Sequence, residues 1–340
     1  MNNGDAGKRG GIENFEKRLS QALLLVFPTL VVILFFIFRE TNFSDLIHRI
    51  NFTNLLFIFI LLLGVWLLDA LKFYLVVRFS GGKVSFVRSF EIVLASIFGS
   101  NITPFYSGGI PTQVYFLSKF AESVGRATAI SVLYMILTLL IYLVFSVVLL
   151  LTPHAFISGL RNDFITSLAF FIFALSFFAF FFMRFPHKAK RIIEKISSKF
   201  SGSKIDVLRL EKSIDEFSEG LRLFFSGKKV YSALTVLVAF GAQVLFLFLT
   251  PLSFKVLSLS FSLKEILLTQ IAVQFTTSIG ATPGGIGIMD AAFAAFFKPY
   301  APHHIAQLTF IYRLVSFYLP TLIGGLYFYK LLREERFLKN

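Results

Sequence analysis

Two apolar stretches of the chain are interrupted by proline and glycine, and these interruptions constrain the fold more than any other feature. The first reads TPFYSGGIP over 103–111, and the second reads TPGGIG over 282–287. Proline removes a backbone hydrogen-bond donor, and glycine allows backbone angles that a helix does not use. Neither stretch can therefore cross a membrane as one continuous helix. Paired interruptions in the two halves of a chain are typical of transporter binding sites.

The composition indicates a membrane protein. Hydrophobic residues make up 56% of the 340 residues, 46 residues are phenylalanine, and only 15% are charged. This composition predicts an all-α integral membrane protein. About 20 apolar residues are needed to cross ~30 Å of hydrocarbon. Six stretches of about that length predict six full spans, at 20–38, 53–77, 127–152, 163–183, 231–252 and 304–330.

Two further stretches, 86–122 and 263–298, have a different pattern. Each contains a short apolar half, a break rich in Gly, Pro, Ser and Thr, and a second short half. Unwound backbone at membrane depth is tolerated only where protein or a water-filled cavity covers it. The pattern favours two re-entrant hairpins of broken helices, each entering and leaving on one side. One distorted span at each place is the alternative.

The basic residues test this layout, because Lys and Arg collect on the cytoplasmic side of membrane proteins. With both hairpins re-entrant, most of the 33 Lys and Arg fall on one side, above all in 184–229. We therefore expect a multi-pass protein of the cytoplasmic (inner) membrane with both termini in the cytoplasm. The two halves then have opposite orientations, which predicts an inverted repeat. A coincidental similarity of the two breaks is the alternative.

Polar segments divide the chain. We expect a polar N-terminal tail, a first membrane unit, a basic amphipathic insertion, a second membrane unit and a cytoplasmic tail, at 1–19, 20–183, 184–229, 230–330 and 331–340. In the insertion, apolar residues recur at spacings of three and four from Leu210 to Phe224, which predicts a helix along the cytoplasmic leaflet. Its basic residues either bind anionic headgroups or only fix the topology. The concentration of Lys and Arg on the cytoplasmic side accounts for the net charge of +14, so no nucleic-acid partner is expected.

Five charged residues fall inside apolar segments, namely Asp69, Lys72, Glu91, Asp290 and Arg313. A charge within the membrane costs at least about 2.5–3.5 kcal/mol, so it usually faces a partner or a cavity. Asp69 and Lys72 are three residues apart and can pair on one helix face. The alternative is that this pair only neutralises itself near the interface. Arg313 has no acid within its own turn, and Asp290 is its expected partner.

The breaks add neutral polar groups to these charges. We expect half-helix N-termini at Pro111 and Gly287 to direct free N–H groups at the centre, where a phosphate would bind. The predicted substrate site near the midplane consists of Asn101, Thr103, Pro104, Gln113, Thr282, Pro283, Gly284, Gly285, Asp290 and Arg313, with Asp69, Lys72 and Glu91 as candidate charge partners. Alternatively, the hydroxyls and amides only satisfy the unwound backbone.

Signatures of catalysis are few. The chain has no cysteine, which excludes thiolate metal sites and cysteine nucleophiles. Its histidines fall in predicted loops or at interfaces, and the sequence contains no nucleophile elbow or nucleotide-binding loop. We therefore predict no catalytic residue, no metal and no cofactor, and a transporter rather than an enzyme.

Motifs in the C-terminal half carry a resemblance to a known family. PGGIG precedes Asp290 and is followed by Arg313-Leu314, Tyr318-Leu319-Pro320 and Gly324-Gly325. This pattern resembles the lysylphosphatidylglycerol synthase transmembrane-region family, also called flippase-like domain proteins, and the resemblance spans essentially the whole chain. It implies an inner-membrane protein that moves lipids or lipid-linked groups between leaflets. Together with the half-helix N-termini, this predicts a phospholipid or lipid-linked partner with an anionic or phosphate-bearing headgroup.

The chain departs from the family pattern at two positions. Gln113 stands where the family often has an acid, and Asp290 stands where Glu is usual. A neutral Gln113 disfavours proton coupling through that position. The aminoacyl transferase domain of some members is missing from the sequence, so we expect a stand-alone translocator, with a homo-oligomer or a separate transferase as candidate partners. The alternatives are a membrane-embedded transferase acting on a polyprenyl-phosphate or phospholipid donor, and an anchor for a soluble enzyme.

Overall fold

The computed structural model describes residues 48–120, 122–152, 207–277 and 282–337. Within these ranges the chain is helical and has no strand. Its α-helices are α1 (Phe52–Phe79), α2 (Phe86–Asn101), α3 (Gly109–Phe120), α4 (Val124–Leu151), α5 (Val207–Ser226), α6 (Lys229–Leu247), α7 (Leu249–Val256), α8 (Leu263–Thr277), α9 (Ile288–Phe297), α10 (Ile305–Arg313) and α11 (Leu319–Phe337). A π-helical segment, Leu314–Tyr318, joins α10 to α11.

Four helical stretches among the described residues are long and apolar enough to cross a membrane. They are Phe52–Phe79, Val124–Leu149, Lys229–Val256 and Ile305–Glu335. These stretches agree with the spans predicted at 53–77, 127–152, 231–252 and 304–330. The spans predicted at 20–38 and 163–183 and the tail at 1–19 lie outside the described residues. The chain is therefore an all-α, membrane-embedded protein.

Each predicted hairpin contains two short helices on either side of a break. In the first, α2 packs against α3, and in the second, α8 packs against α9. Each break contains a 3-10 turn, at Pro104–Tyr106 and at Pro283–Gly285. These two turns contact each other. The breaks from the two halves of the chain therefore meet inside the helix bundle.

The two breaks share one backbone conformation. Each has an extended Thr, then Pro, then two residues with positive φ. In the second break these residues are Gly284 (φ 59°) and Gly285 (φ 63°), whereas in the first they are Phe105 (φ 55°) and Tyr106 (φ 55°). Residues other than glycine adopt this conformation at a cost of roughly 1–2 kcal/mol each. In the sequence, a Gly-Gly-Ile run follows Thr-Pro in both breaks, which would pair Gly284-Gly285 with Gly108-Gly109, but the structural equivalents are Phe105 and Tyr106.

Side-chain and backbone bonds identify which helix ends lie together. At one end of the bundle, the Asn51 N–H donates to the carbonyl of Val256 (2.8 Å), so the start of α1 lies beside the end of α7. At the other end, the Arg88 guanidinium lies 2.6 Å from the Glu334 carboxylate. The open end of the α2–α3 hairpin therefore lies beside the C-terminal part of α11.

The apolar side of α5 is covered by protein. Ile214, Phe217, Leu221 and Phe224 are buried, and α5 packs against α4. The predicted periodicity of the insertion is therefore observed over α5, where the apolar face contacts a neighbouring helix. The rest of the insertion, 184–206, lies outside the described residues, as does the side chain of Leu210.

The last helix approaches α2 closely because of a glycine. A Cβ atom on Gly324 would lie 2.4 Å from the carbonyl oxygen of Leu94, and one on Gly325 would lie 3.2 Å from the ring of Phe98. Small residues let helix backbones approach in membrane proteins, where van der Waals packing drives helix association. Gly324 therefore brings α11, and with it the π segment, against the first hairpin.

We predict that Gly324→Ala lowers stability by roughly 1–3 kcal/mol, the usual cost of overpacking. The added methyl group meets a backbone atom, which cannot rotate away. The matched control is Gly241→Ala in α6, where the new Cβ would meet only a Leu68 methyl at 3.5 Å. Thermal unfolding in detergent should show a lower midpoint for the first variant only. Equal midpoints for the two variants would contradict the close contact.

Candidate functional site

Arg313 is the most buried charge beside the breaks. It is 3% exposed, and its guanidinium forms a two-pronged ion pair with Asp290, with Nε 2.5 Å from Oδ1 and Nη2 3.0 Å from Oδ2. Paired hydrogen bonds of this kind are among the strongest in proteins. The structure therefore joins α10 to the first turn of α9 through the two charges that the sequence analysis expected to pair.

The same guanidinium also reaches the unwound backbone. Its Nη1 lies 3.3 Å from the carbonyl oxygen of Gly284, its Nη2 lies 3.4 Å from that of Gly285, and its Cζ lies 5.1 Å from the ring centre of Phe317. Buried carbonyl groups need donors, and these two have left the helical pattern. Arg313 thus supplies hydrogen bonds that the break itself lacks.

Asp290 also closes the start of α9. Its Oδ2 accepts a hydrogen bond from the backbone N–H of Gly287 (2.9 Å). The prediction of a free N–H and an open anion site at Gly287 is wrong, because the protein's own carboxylate occupies the position. In the first hairpin, the half-helix begins at Gly109 rather than at Pro111.

The first break contacts the second through small and flexible groups. A Cβ atom on Gly284 would lie 2.1 Å from the ring of Phe317 and 3.0 Å from the carbonyl oxygen of Asn101. The hydroxyl of Tyr106 donates to the sulfur of Met289 (3.0 Å). We call this region the break junction, and it comprises Asn101, Tyr106, Gly284, Gly285, Met289, Asp290, Arg313 and Phe317.

The remaining polar residues predicted for the site bond within the protein. Thr103 donates to the carbonyl of Gly99 (2.9 Å), and the Thr282 hydroxyl donates to the carbonyl of Ile286 (2.8 Å). The Thr103 hydroxyl therefore bonds to the last turn of α2, whereas the Thr282 hydroxyl bonds within its own break. Pro104 and Pro283 begin the two 3-10 turns.

Two amide side chains tie the first hairpin together and to α11. Asn101 donates through Nδ2 to the hydroxyl of Thr321 (2.7 Å), and Gln113 donates through Nε2 to the hydroxyl of Ser96 (3.2 Å) between the hairpin arms. These bonds agree with the alternative that the polar groups satisfy each other and the backbone. A role of these residues in binding lipid stays a prediction.

An inner cavity of about 260 Å³ lies next to the break junction. It lies between α1, α2, α4, α6, the π segment and α11. Aliphatic, aromatic and polar side chains line it, namely Leu62, Val65, Trp66, Asp69, Lys72, Ile97, Tyr134, Thr138, Tyr142, Ala242, Gln243, Phe246, Val315, Ser316 and Pro320. The cavity is slightly smaller than the ~300–1,000 Å³ usual for drug-sized ligands.

The wall of the inner cavity carries the predicted Asp69–Lys72 ion pair. The Lys72 ammonium lies 2.5 Å from Asp69 Oδ1, donates to the hydroxyl of Thr138 (2.9 Å) and lies 3.8 Å from the ring centre of Tyr134. Tyr134 in turn donates to Asp69 Oδ2 (2.5 Å). Lys72 is 1% exposed, whereas the Asp69 side chain is 18% exposed. The pair is therefore part of a polar network inside the bundle.

The π segment connects the cavity to the break junction. Val315 and Ser316 line the cavity, whereas Arg313 and Phe317 face the second break. A π turn inside an α-helix is often found at functional sites, because it inserts an extra residue into the helix. Any movement of this segment therefore affects both regions.

Glu91 belongs to a third group of charges, the end cluster, which consists of Arg88, Glu91, Lys119, Lys330, Glu334 and Glu335. Glu91 Oε1 lies 2.6 Å from the Lys330 ammonium, and its Oε2 lies 2.8 Å from the Arg88 guanidinium. Glu335 lies 3.4 Å from Lys119 and accepts from Tyr115. Glu91 therefore joins the open end of the first hairpin to α11, and its partners differ from those of Asp69.

Sequence reasoning missed much of the inner cavity. Tyr134, Thr138 and Tyr142 recur at spacings of four in the span predicted at 127–152. Three polar groups on one face of an apolar helix are a detectable signal, because a membrane helix seldom turns such a face toward lipid. Trp66 and Gln243 give no such pattern in the sequence.

Comparisons with known proteins give one family model and several membrane-protein relatives. A family model described as the lysylphosphatidylglycerol synthase TM region matches residues 21–324. A "UPF0104 membrane protein" of Archaeoglobus fulgidus is 26% identical over 91% of this chain and 96% of its own length. Similar proteins from Methanocaldococcus jannaschii and Pyrococcus horikoshii are each 27% identical over 89% of this chain, and the match covers 91% and 95% of their lengths. No solved structure matches the chain.

We predict that Arg313→Ala destabilises the protein by about 3–5 kcal/mol, the usual cost of breaking a buried ion pair. It leaves the Asp290 carboxylate and two carbonyl groups without their donor. The double variant Arg313→Ala/Asp290→Ala should lose less than the sum of the two single losses, since the pair acts as a unit. Thermal unfolding can be followed through Trp66, the single tryptophan.

The control for the Arg313 and Asp290 variants is Lys264→Ala, which removes an exposed charge from α8 of the same hairpin. It should leave the unfolding midpoint within the error of the wild type. Additive losses in the double variant would show that Arg313 and Asp290 stabilise the break independently.

Proposed function

Since the chain belongs to the lysylphosphatidylglycerol synthase transmembrane-region family, we propose that it moves a phospholipid or lipid-linked group across the cytoplasmic membrane. The headgroup passes through the inner cavity while the acyl or prenyl chains stay in the lipid. This activity is that of a flippase or scramblase, and the lipid is its principal partner.

One observation carries the proposal, namely the inner cavity with a charged pair on its wall. Among the described residues that line it, Asp69 and Lys72 are the charged ones, and they lie in α1, a helix long and apolar enough to span the membrane. Ionisable residues inside membrane helices are costly to insert and commonly mark substrate or ion pathways. The remaining aromatic and polar lining offers a headgroup both flat apolar surfaces and hydrogen-bonding groups.

The arrangement of the two breaks supports a transporter architecture. In our proposal, α2–α3 and α8–α9 are re-entrant hairpins of an inverted repeat whose tips meet near the membrane midplane. The contact between the 3-10 turns supports this proposal, as does the shared conformation of the two breaks. Inverted repeats with broken helices allow a site to face either side in turn.

The predicted substrate-binding residues lie beside the proposed route rather than in the lining of the inner cavity. Arg313 and Asp290 hold the second break, and Asn101 holds the first break to α11. We propose that these groups shape the pocket next to the passing headgroup, with the cytoplasmic face at the end cluster. This orientation also places the C-terminus in the cytoplasm, in accordance with the distribution of Lys and Arg.

The transferase alternative receives less support from the geometry. A transferase of this kind would need a pair of carboxylates that act together, and Asp69 and Glu91 are the candidates for that pair. In the structure Asp69 pairs with Lys72, whereas Glu91 pairs with Arg88 and Lys330 in the end cluster. Two carboxylates that are neutralised by different cations do not form a joint acid–base site.

The test is transbilayer movement in vesicles. We expect purified protein in liposomes to expose fluorescent phospholipids of the inner leaflet to an impermeant quencher faster than empty vesicles do. Ala242→Phe fills part of the inner cavity and should slow this movement at least tenfold. The matched control, Leu237→Phe, adds the same ring to α6 at a side chain that is 65% exposed, and should retain the wild-type rate.

The same vesicles separate the alternatives. Equal rates for Ala242→Phe and the wild type, with both proteins folded, would remove the cavity from the route. A new lipid species in the mass spectrum after addition of a polyprenyl-phosphate or phospholipid donor would instead favour a transferase. If the protein neither moves nor modifies any lipid, the proposed function is overturned.

A further inference from the structure

The Asp69–Lys72 pair differs from the Arg313–Asp290 pair in the chemistry of its cation and in its position on the cavity wall. Asp290 is held by two guanidinium nitrogens and by the Gly287 N–H. Arginine stays protonated in proteins and its planar group fixes the carboxylate geometry. Lys72, in contrast, is a compact charge on a flexible stem. Its counter-ion Asp69 is the one carboxylate among the described residues that line the inner cavity.

Asp69 is accessible from the cavity, whereas Lys72 is buried and is neutralised by Asp69. The Asp69 side chain is 18% exposed and the Lys72 side chain is 1% exposed. If a proton from water binds to Asp69, the carboxylate becomes a neutral carboxyl group. The Lys72 ammonium then keeps the Thr138 hydroxyl and the Tyr134 ring but loses its opposite charge. An uncompensated charge in an apolar interior is unfavourable, so an anion that enters the cavity is stabilised there.

We propose that the inner cavity binds a phosphate diester monoanion at Lys72 together with one proton at Asp69. This inference rests on the proposed function, because the lipid that moves would then be a phosphodiester lipid accompanied by a proton. The charge in the cavity stays balanced in both states. Without lipid, Asp69 neutralises Lys72, and with lipid, the phosphate neutralises Lys72 while Asp69 is protonated.

Few groups around Asp69 can make the binding of an anion depend on pH. Lys72 faces it from its own helix, and Tyr134 and Tyr142 line the cavity from α4. The cavity residues from α2, α6, the π segment and α11 are Ile97, Ala242, Gln243, Phe246, Val315, Ser316 and Pro320, none of which ionises. Tyrosine and lysine normally titrate near pH 10. Among the residues that line the cavity, Asp69 is therefore the group at which one proton can accompany an entering anion.

Trp66 provides a direct measurement of binding. It lines the cavity and is the only tryptophan in the chain. We would titrate the full chain in detergent with dihexanoyl phosphatidylglycerol and, separately, with dimethyl phosphate, between pH 5 and pH 8. Both probes are phosphodiesters and keep one negative charge over this range, so any pH dependence belongs to the protein.

We expect the wild type to bind the lipid probe more weakly as pH rises, up to tenfold per pH unit, which is the limit for one linked proton. Asp69→Asn mimics the protonated acid, so it should bind tightly at every pH. Lys72→Gln should lose binding. A pH indicator in weak buffer should record uptake of up to one proton per bound lipid by the wild type and no uptake by Asp69→Asn.

Several controls keep the proposal falsifiable. Glu334→Gln removes an acid of the end cluster and should retain the wild-type pH dependence. If Asp69→Asn does not fold, the double variant Asp69→Asn/Lys72→Gln removes both charges, and lipid binding by that variant would overturn the site. A pH-independent affinity in the wild type would overturn the proton linkage.

The outcomes separate this inference from the proposed function. Lipid movement in vesicles without a pH dependence of binding would remove the linkage alone. Linked binding without lipid movement would remove translocation and keep the anion site. Dimethyl phosphate that binds as tightly as the lipid probe would assign the site to small phosphate esters rather than to lipid headgroups.

Discussion

Unwound backbone inside an apolar bundle is the constraint on which the rest of this structure depends. Each break removes carbonyl and N–H groups from the helical pattern, and hydrocarbon offers them no partner. The protein solves this in the second break with Arg313, which contacts Asp290 and two break carbonyls at once. In the first break, the hydroxyl of Thr103 accepts the N–H of Gly108 and donates to the carbonyl of Gly99.

This solution determines where a ligand can bind. The carboxylate of Asp290 already occupies the start of α9, where a helix N-terminus would otherwise attract an anion. The charge of Arg313 is neutralised by the same group. Free space is found instead in the inner cavity, on the other side of the π segment, together with the Lys72 ammonium. The break junction is thus the scaffold, and the cavity beside it is the candidate site for a headgroup.

The sequence predicted the features that depend on local spacing or on a single strong cost. Length and apolarity gave the four described spans, and a spacing of three residues gave the pair of Asp69 and Lys72. The burial cost of Arg313 pointed to a partner outside its own turn. The sequence did not predict that Phe105 and Tyr106 adopt positive φ, because tertiary contacts hold this conformation against residue preference. Nor did it predict the cavity, since five segments distant in sequence form its wall.

The choice between arginine and lysine separates the two charged regions by role. Arg313 keeps its proton and donates in a fixed plane, so it suits a position where the backbone must not move. Lys72 carries a compact ammonium on a flexible stem, and in our proposal an entering anion replaces its partner Asp69. Exchanging the two residues would place the flexible charge at the break and the rigid one in the cavity. The observed arrangement places the rigid pair at the break junction, and in our proposal the charge balance of the cavity adjusts as a headgroup binds and leaves.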